Sequence, residues 1–596
     1  MIDKLPKKEC TGCGLCVDVC VHKAISLVAE SKTGFLYPQI DNLKCTSCNR
    51  CEDLCPSLNI LKVRRSKTLK AIAAVNNNIE TRFESTSGGV FSLVAENFFA
   101  SGDLVCGAVW KNKYEVIHFL TNNKSDLQRL RLSKYVQSDC SNVYQQIKKE
   151  LKNGKRVLFV GCPCQVSAIN NICSNYDNLF TIDLVCKGVP SPLFWRKYIN
   201  HLEQIYGKKV INHRAKDKEY GWKRLGVRID FEDGTAEYLP GSNDVFANLY
   251  SGNYFMRDSC YNCKFRGLER CGDISLGDCW GIDHIEPEMD DDCGTSLILI
   301  NSEKGKKLYD EIRHECLTSE IDVLEANSSN SGISKDIPLN LSKREAFFDD
   351  LNNDDFSEVV NKYKIIDKSL KNKIKPYYHL FRTVIHVTRL RPRPLFQFFK
   401  YNFFSKHVKS SLKDCALLIP STYCVFQLEK NAMIELHGSM IIGDARLVSS
   451  RRESRLLMKE NSKIIINKWC HISEGADIEI HKNGMWEMDE FYSNFDLEIS
   501  CGELIKMNGI VGCGRKVTIR DYNGHIIAKK GFKIANPVRI DNHTWLCSGC
   551  SIMPGVHIQT GAIISANSYC ASNVPPYTII SGKPAVIMGK EVRHKI

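Results

Sequence analysis

Residues 537–589 read PVRIDNHTWLCSGCSIMPGVHIQTGAIISANSYCASNVPPYTIISGKPAVIMG. In them an apolar residue returns at every sixth place: Ile540, Leu546, Ile552, Ile558, Ile564 and then Cys570, with Ile534 one step before. Six residues make one flat side of a triangular coil, with one side chain per side turned to the axis, so this period predicts a parallel β-helix. Toward the amino terminus, Leu428 with Ile434, and Ile466, Ile472 and Ile478, keep the same interval. The repeat therefore occupies residues 413–596, broken by a loop at Arg520-Asp521-Tyr522-Asn523-Gly524-His525.

The other decisive pattern lies at the opposite end. Cys10, Cys13, Cys16 and Cys20 form C-x2-C-x2-C-x3-C, and Cys45, Cys48, Cys51 and Cys55 repeat it, followed by Pro56. Three thiolates on a tight loop hold three corners of an iron-sulfur cubane, while the fourth, displaced onto the following helix, reaches the other cluster. The pairing therefore crosses: Cys10, Cys13, Cys16 and Cys55 for cluster one, and Cys45, Cys48, Cys51 and Cys20 for cluster two. Two zinc sites are the competing reading, but zinc takes ligands in tetrahedral pairs. Residues 1–62 resemble a bacterial dicluster ferredoxin, departing from it at Val21, where the family usually has proline.

At 596 residues the chain exceeds a single core and divides into about three or four domains. Apolar residues at 43% and charged residues at 25% exclude a disordered or fibrous chain. The net charge of +13 points weakly to anionic partners, and no nucleic-acid partner is expected. No run approaches the roughly 18 apolar residues that span a bilayer, and the start MIDKLPKKECTGC lacks a signal-peptide stretch, so the expected location is the cytoplasm. In that compartment 28 cysteines argue for metal ligation over disulfides.

From residue 69 the pattern is α/β, with short buried runs at Val157–Val160, Phe180–Leu184 and Ser296–Ile300. Ser85-Thr86-Ser87-Gly88-Gly89-Val90-Phe91-Ser92 places glycines and hydroxyls ahead of an apolar helix. That pattern is either a pyrophosphate cradle or a plain N-cap at Ser85 or Ser87. Cys162 and Cys164, Cys186, and Cys260 with Cys263 lie on separate turns and together suit a third cubane. Cys106, Cys140, Cys173 and Cys316 read as buried structural cysteines.

Residues 69–335 resemble the beta subunit of coenzyme F-420 hydrogenases and dehydrogenases. The motifs that carry this are STSGGVFS (85–92), SKYVQS (133–138), GCPCQ (161–165), DLVCKGVPSP (183–192), SCYNCKF (259–265) and DISLGDCWG (273–281). The resemblance implies FAD beside a 4Fe-4S cluster, with Ser87, Gly88, Gly89 and Lys134 at the flavin and Cys164, Cys186, Cys260 and Cys263 on the third cluster. It also implies a redox partner such as ferredoxin or a deazaflavin. Lys187 stands where the family has histidine, and Cys162 supplies an alternative thiolate to Cys164.

Residues 336–412 read as a basic, aromatic connector, through Lys371–Lys375 and Arg389-Leu390-Arg391-Pro392-Arg393-Pro394-Leu395-Phe396-Gln397-Phe398-Phe399-Lys400. Such a run either packs its aromatics on a neighbour or settles on an anionic membrane surface.

Residues 413–596 resemble the hexapeptide acyltransferases, including the closing S-G-K-P-A turn. The resemblance implies a left-handed β-helix, a homotrimer, acyl-CoA as co-substrate and a histidine that takes a proton from the acceptor. His525 is the candidate base, with Asp521 to orient it, and Trp545, Ser581, Gly582 and Lys583 match the CoA channel. An imidazole suits the task because it titrates near neutrality. The resulting expectation is a multidomain chain: a small α+β ferredoxin, an α/β flavin-binding domain and a left-handed parallel β-helix. Its three 4Fe-4S clusters pass electrons to FAD, and its other end acylates a glycan precursor in surface-polysaccharide synthesis. The alternative is an acyltransferase whose redox half only transfers or senses electrons.

Overall fold

The structure is a computed structural model that describes residues 2–338, 341–364, 370–447, 449–525 and 531–594. It forms two compact units, 1–366 and 367–596.

In the first unit, short helices Leu15–Val19 and Arg50–Asp53 follow the two cysteine loops. The strands Ile25–Ala29 and Leu36–Ile40 close an antiparallel hairpin between them. This amino-terminal piece does not stand alone, because Ile2, Leu5 and Phe35 share one core with Phe194, Trp195 and Phe255 of the following segment. Burying a side chain such as Phe35 is worth about 1.5–3 kcal/mol, so the two segments stabilise each other.

The centre of the unit is a nine-stranded mixed sheet. Val157–Gly161 runs parallel to Leu104–Asn112 on one side and to Leu179–Leu184 on the other. Leu179–Leu184 in turn runs parallel to Ile274–Asp278. Val157–Gly161 is buried throughout, the property of a strand covered on both faces, which is why it reads as an unbroken apolar run. Helices such as Val90–Ala100 and Pro163–Cys173 supply the cover. The cysteine turns at 162–164 and 186 sit at the carboxyl ends of neighbouring parallel strands, the usual ligand edge of such a sheet.

The stretch read as a connector is instead built into both units. Phe347, Phe348, Leu351 and Val359, on helices Leu341–Asn353 and Phe356–Tyr363, are buried in the core of the first unit. Val387 and Phe398 pack on Leu417 and Ile419 in the second. Residues 339–340 and 365–369, and the side chains of 371–375, lie outside the described residues.

In the second unit all strands but the last pair in parallel, in sheets of thirteen and seven strands. Between 537 and 570 each strand pairs with the one 18 residues on, as Arg539 with His557, Trp545 with Ile563 and Ser551 with Tyr569. Three six-residue sides therefore make one turn. Ile540, Leu546, Ile552, Ile558 and Ile564 are fully buried along the axis, as are Ile434, Ile466, Ile472 and Ile478. Ile534 is not: it is 37% exposed, because it lies on the returning arm of the loop where Tyr522 bridges Ala535 in antiparallel fashion. The earlier turns are longer, with Lys463 opposite Met485 and Met485 opposite Leu504. Among the described residues no helix is long and apolar enough to cross a membrane.

Candidate functional sites

The first cysteine loop turns through Gly12 and Gly14, at φ +69° and +78°. A Cβ on Gly12 would meet Gln137 and Arg257 within 3 Å, so glycine there lets the loop press against the central segment. Cys13, Cys10, Cys16 and Cys55 share one electrostatic neighbourhood. Burial first, then Cys55 and Cys10, push the Cys13 thiol up to about 12. Burial and then Cys13, Cys10 and Cys55 raise Cys16. Buried thiols that oppose each other's ionisation become thiolates only when cations share their charge, so this donor set fits a cluster. Cys20, Cys45, Cys48 and Cys51 line a second pocket with His22, Ile25 and Ile40, and Cys48 is exposed at its rim. Each group thus combines three cysteines of one motif with the fourth of the other.

A third pocket is lined by Cys162, Cys164, Cys186, Cys260 and Cys263, with Arg266 and Arg270. Cys186 Sγ lies 3.8 Å from that of Cys162. This contact, followed by Arg266 and Arg270, lowers the Cys186 thiol despite burial. Arg270 is anchored by a buried ion pair with Asp183, 2.6 Å, whose other oxygen accepts from the Cys271 and Gly272 amides. After burial, its neighbours Cys263 and Cys13 raise the Cys164 thiol most. The third pocket therefore adjoins the first. Among the described residues no three His, Cys, Asp or Glu side chains are arranged around a single ion.

The glycine loop is built differently from the N-cap reading. Gly89, at φ +85°, is the capping residue of helix Val90–Ala100, and no side chain caps it. Ser85 Oγ donates to the Thr81 carbonyl and Ser87 Oγ to that of Thr295. A Cβ on Gly88 would lie 2.3 Å from the Ala74 oxygen, so its glycine is explained by close approach to the sheet. The motifs at 85–92 and 133–138 do meet, through the Ser133 amide and Thr86 Oγ1 at 3.1 Å. Lys134, however, turns its ammonium onto the carbonyls of Arg129 and Leu130, 2.7 and 3.1 Å, at the end of helix Leu127–Leu130. Its side chain caps that helix. These residues alone do not make a flavin site. Beside the loop stands Lys218, 1% exposed and donating to the Arg82 and Ser87 carbonyls, which the sequence reading missed.

In the second unit His525 is exposed at the edge of the described residues. Asp521 is wholly buried, and its carboxylate accepts from the backbone amides of Gly502, Glu503 at 2.9 Å and Leu504 at 2.6 Å. The expectation that it orients His525 is corrected: those amides occupy it, and it clamps the turn between two coils. An open pocket of ≈ 430 Å³ lies beside the loop, lined by Asn523, Lys533, Asn536, Met553 and Tyr569. Trp545 is half-buried with its ring 5.9 Å from that of Tyr492. Ser581 and Gly582 end the first strand of the closing hairpin and Lys583 enters its turn, and the Gly582 amide donates to Ser568 Oγ. His557 and Asp541 form a further histidine–carboxylate pair at 2.7 Å, which no motif announced.

Residues 154–323 match the family model for the C terminus of the coenzyme F420 hydrogenase/dehydrogenase beta subunit, and residues 9–59 match that of the 4Fe-4S dicluster domain. The chain is 35% identical over 129 residues to a probable macrolide acetyltransferase of Lysinibacillus sphaericus, covering 22% of this chain and 60% of that protein. It is 30% identical over 170 residues to a putative acetyltransferase of Saccharomyces cerevisiae, covering 28% and 83%. A chain of the F420-reducing NiFe hydrogenase complex from Methanosarcina barkeri aligns at 16% identity and TM-score 0.31, covering 55% of this chain and 94% of its own.

Proposed function

The chain belongs to the acetyltransferase family of its yeast relative and carries, in the same polypeptide, a 4Fe-4S dicluster domain and the C-terminal domain of a coenzyme F420 hydrogenase/dehydrogenase beta subunit; from that premise we propose an iron-sulfur electron relay joined to a CoA-dependent acyltransferase. The observation that supports the relay is the gathering of cysteines from distant segments into three groups, two of which adjoin through Cys13 and Cys164. Cys10, Cys13, Cys16 and Cys55 would hold cluster one, Cys20, Cys45, Cys48 and Cys51 cluster two, and Cys164, Cys186, Cys260 and Cys263 cluster three. Bound there, the clusters supply single-electron transfer. The protein's part is to bury the thiolates and to place Arg266 and Arg270 beside the third pocket.

FAD, as acceptor or donor at the end of the relay, rests on the motifs at 85–92 and 133–138 and on the uncapped helix start at Gly89. A ferredoxin or deazaflavin is the partner this chemistry suits. The reading in which the redox half only transfers or senses electrons is favoured by one observation: Ser87 and Lys134 are engaged by the protein itself.

In the second unit we take the coil as a left-handed β-helix that assembles as a trimer. His525 accepts the proton of an acceptor hydroxyl or amine as that atom bonds to the acyl carbon. The thioester C–S bond breaks, and the same imidazole returns the proton to the CoA sulfur. Trp545 and the 581–583 turn would border the CoA, and the pocket at Asn523 and Tyr569 would take the acceptor. A glycan precursor fits its polar lining. Phe396, Phe399, Phe403 and Phe404 are exposed in a stretch, Leu370–Lys413, without an acidic residue, which supports peripheral contact with an anionic membrane. Anaerobic purification tests the relay. About twelve irons per chain and a paramagnetic signal after dithionite are expected, and colourless protein refutes it.

A further inference from the structure

Arg257 is 0% exposed and lies beside the first cysteine pocket. Its Nε donates to the Cys10 carbonyl at 2.7 Å and one terminal nitrogen to the Leu36 carbonyl at 3.0 Å and, more distantly, to Cys10 Sγ at 3.6 Å. The other donates to Gln137 Oε1 at 3.2 Å. The guanidinium stands 4.2 Å from the ring centre of Tyr37. Every one of these acceptors is neutral. Among the described residues no carboxylate comes within 4 Å of it, and its chain neighbour Asp258 is taken by Arg344 at 2.8 Å. An arginine keeps its charge under all ordinary conditions. A buried charge without a counter-charge costs several kcal/mol, so a folded chain keeps one only where something nearby offsets it.

We infer that Arg257 is the counter-charge of cluster one and sets its reduction potential above that of the same cluster without it. The inference rests on the reading that Cys10, Cys13, Cys16 and Cys55 hold a cubane. A four-thiolate cubane is anionic and gains a further negative charge on reduction, so a fixed cation at one ligand favours the reduced form. Hydrogen bonds and charge at the sulfurs are the protein's main control of such potentials. The position also has a consequence for the relay. The Arg257 amide donates to the Val189 carbonyl and its own carbonyl accepts from the Cys260 amide, so the residue that grips Cys10 is hydrogen-bonded to the lining of the third site. Arg257 is thus a positioning residue acting through the cluster.

The test is a redox titration of the anaerobically prepared full chain, followed by paramagnetic resonance, for wild type, Arg257→Lys, Arg257→Met and Gln137→Glu. Gln137→Glu has nearly the same shape and keeps the oxygen that Arg257 and the Leu36 amide bind, while neutralising the guanidinium. Arg257→Met and Gln137→Glu are each expected to shift the one-electron equilibrium of a single cluster at least tenfold toward the oxidised form, about 59 mV downward. The other two clusters stay put, and Arg257→Lys remains close to wild type. If Arg257→Met fails to fold, Gln137→Glu decides alone. Full iron content with unmoved potentials in Gln137→Glu overturns the inference. Absence of any cluster signal in wild type overturns instead the reading on which it rests.

Discussion

The sulfur atoms of Cys162 and Cys186 lie 3.8 Å apart, and Cys164, on the same turn as Cys162, has Cys263 and Cys13 as its strongest electrostatic neighbours. Two thiolates so close together crowd one iron, whereas a cubane takes its four ligands from four directions. That crowding supports Cys164, rather than Cys162, as the proposed ligand. Cys164→Ser should lower the iron content from about twelve to about eight per chain, and Cys162→Ser should leave it near twelve. The reverse pattern in an anaerobic iron assay reassigns the site.

The crossed pairing has its own signature in double variants. Cys55 presses on Cys13 and Cys16, whereas Cys20 lines the pocket of Cys45, Cys48 and Cys51. Cys55→Ala and Cys13→Ala should then remove the same cluster, so the double variant loses about four irons, no more than either alone. Cys55→Ala with Cys45→Ala should lose about eight. A loss of about eight irons in the first pair and about four in the second would mean that each motif closes on itself.

What could be read in the sequence was what is local. Cysteines at fixed short spacing, and one aliphatic per six residues from Ile540 to Ile564, carry their geometry in their intervals. The turns between Lys463 and Cys513 are longer and bury one residue in two along extended strands, so the six-residue interval there describes sides without describing the turn. Arg257 and Lys218 could not be found, because their partners Cys10 and Ser87 lie 247 and 131 residues away. The packing of aromatics in 336–412 on a neighbour is one of the two readings the sequence allows, but whether Phe347 or Phe398 is covered depends on which unit its helix joins, not on its neighbours in sequence. Asp521 was assigned to His525 by proximity in the chain, while its amide partners come from the preceding coil.

His525 and Asp521 should separate cleanly in experiment. His525 is exposed and bonds nothing among the described residues, so His525→Ala should leave the thermal midpoint unchanged while acyl-CoA turnover falls by about 10²–10⁴. Asp521→Ala strands buried backbone amides, and hydrogen bonds to a charged acceptor are worth about 1.5–3 kcal/mol each. It should lower the unfolding midpoint, with any loss of turnover following the folded fraction. Turnover by His525→Ala at the wild-type rate would remove the base from the mechanism.

His118 makes the first unit sensitive to acid. It is 7% exposed, stacks on Phe159, and has Ser138 Oγ 2.6 Å from Nδ1 and the Val160 carbonyl 3.1 Å from Nε2. The carbonyl only accepts, so Nε2 carries the proton and Nδ1 takes one from the serine: the ring is held neutral. Burial lowers its pKa to about 4 from 6.5. A depressed folded-state value means that the unfolded chain binds the proton first as pH falls. The stabilisation is therefore complete above 6.5 and is lost progressively down to 4, a change on the order of 3 kcal/mol. Urea unfolding of the first unit at pH 7 and at pH 4.5 should show wild type losing much of that amount. His118→Gln, already less stable at pH 7 through its altered packing, should lose markedly less between the two. Parallel decline of the two proteins would place the acid sensitivity elsewhere.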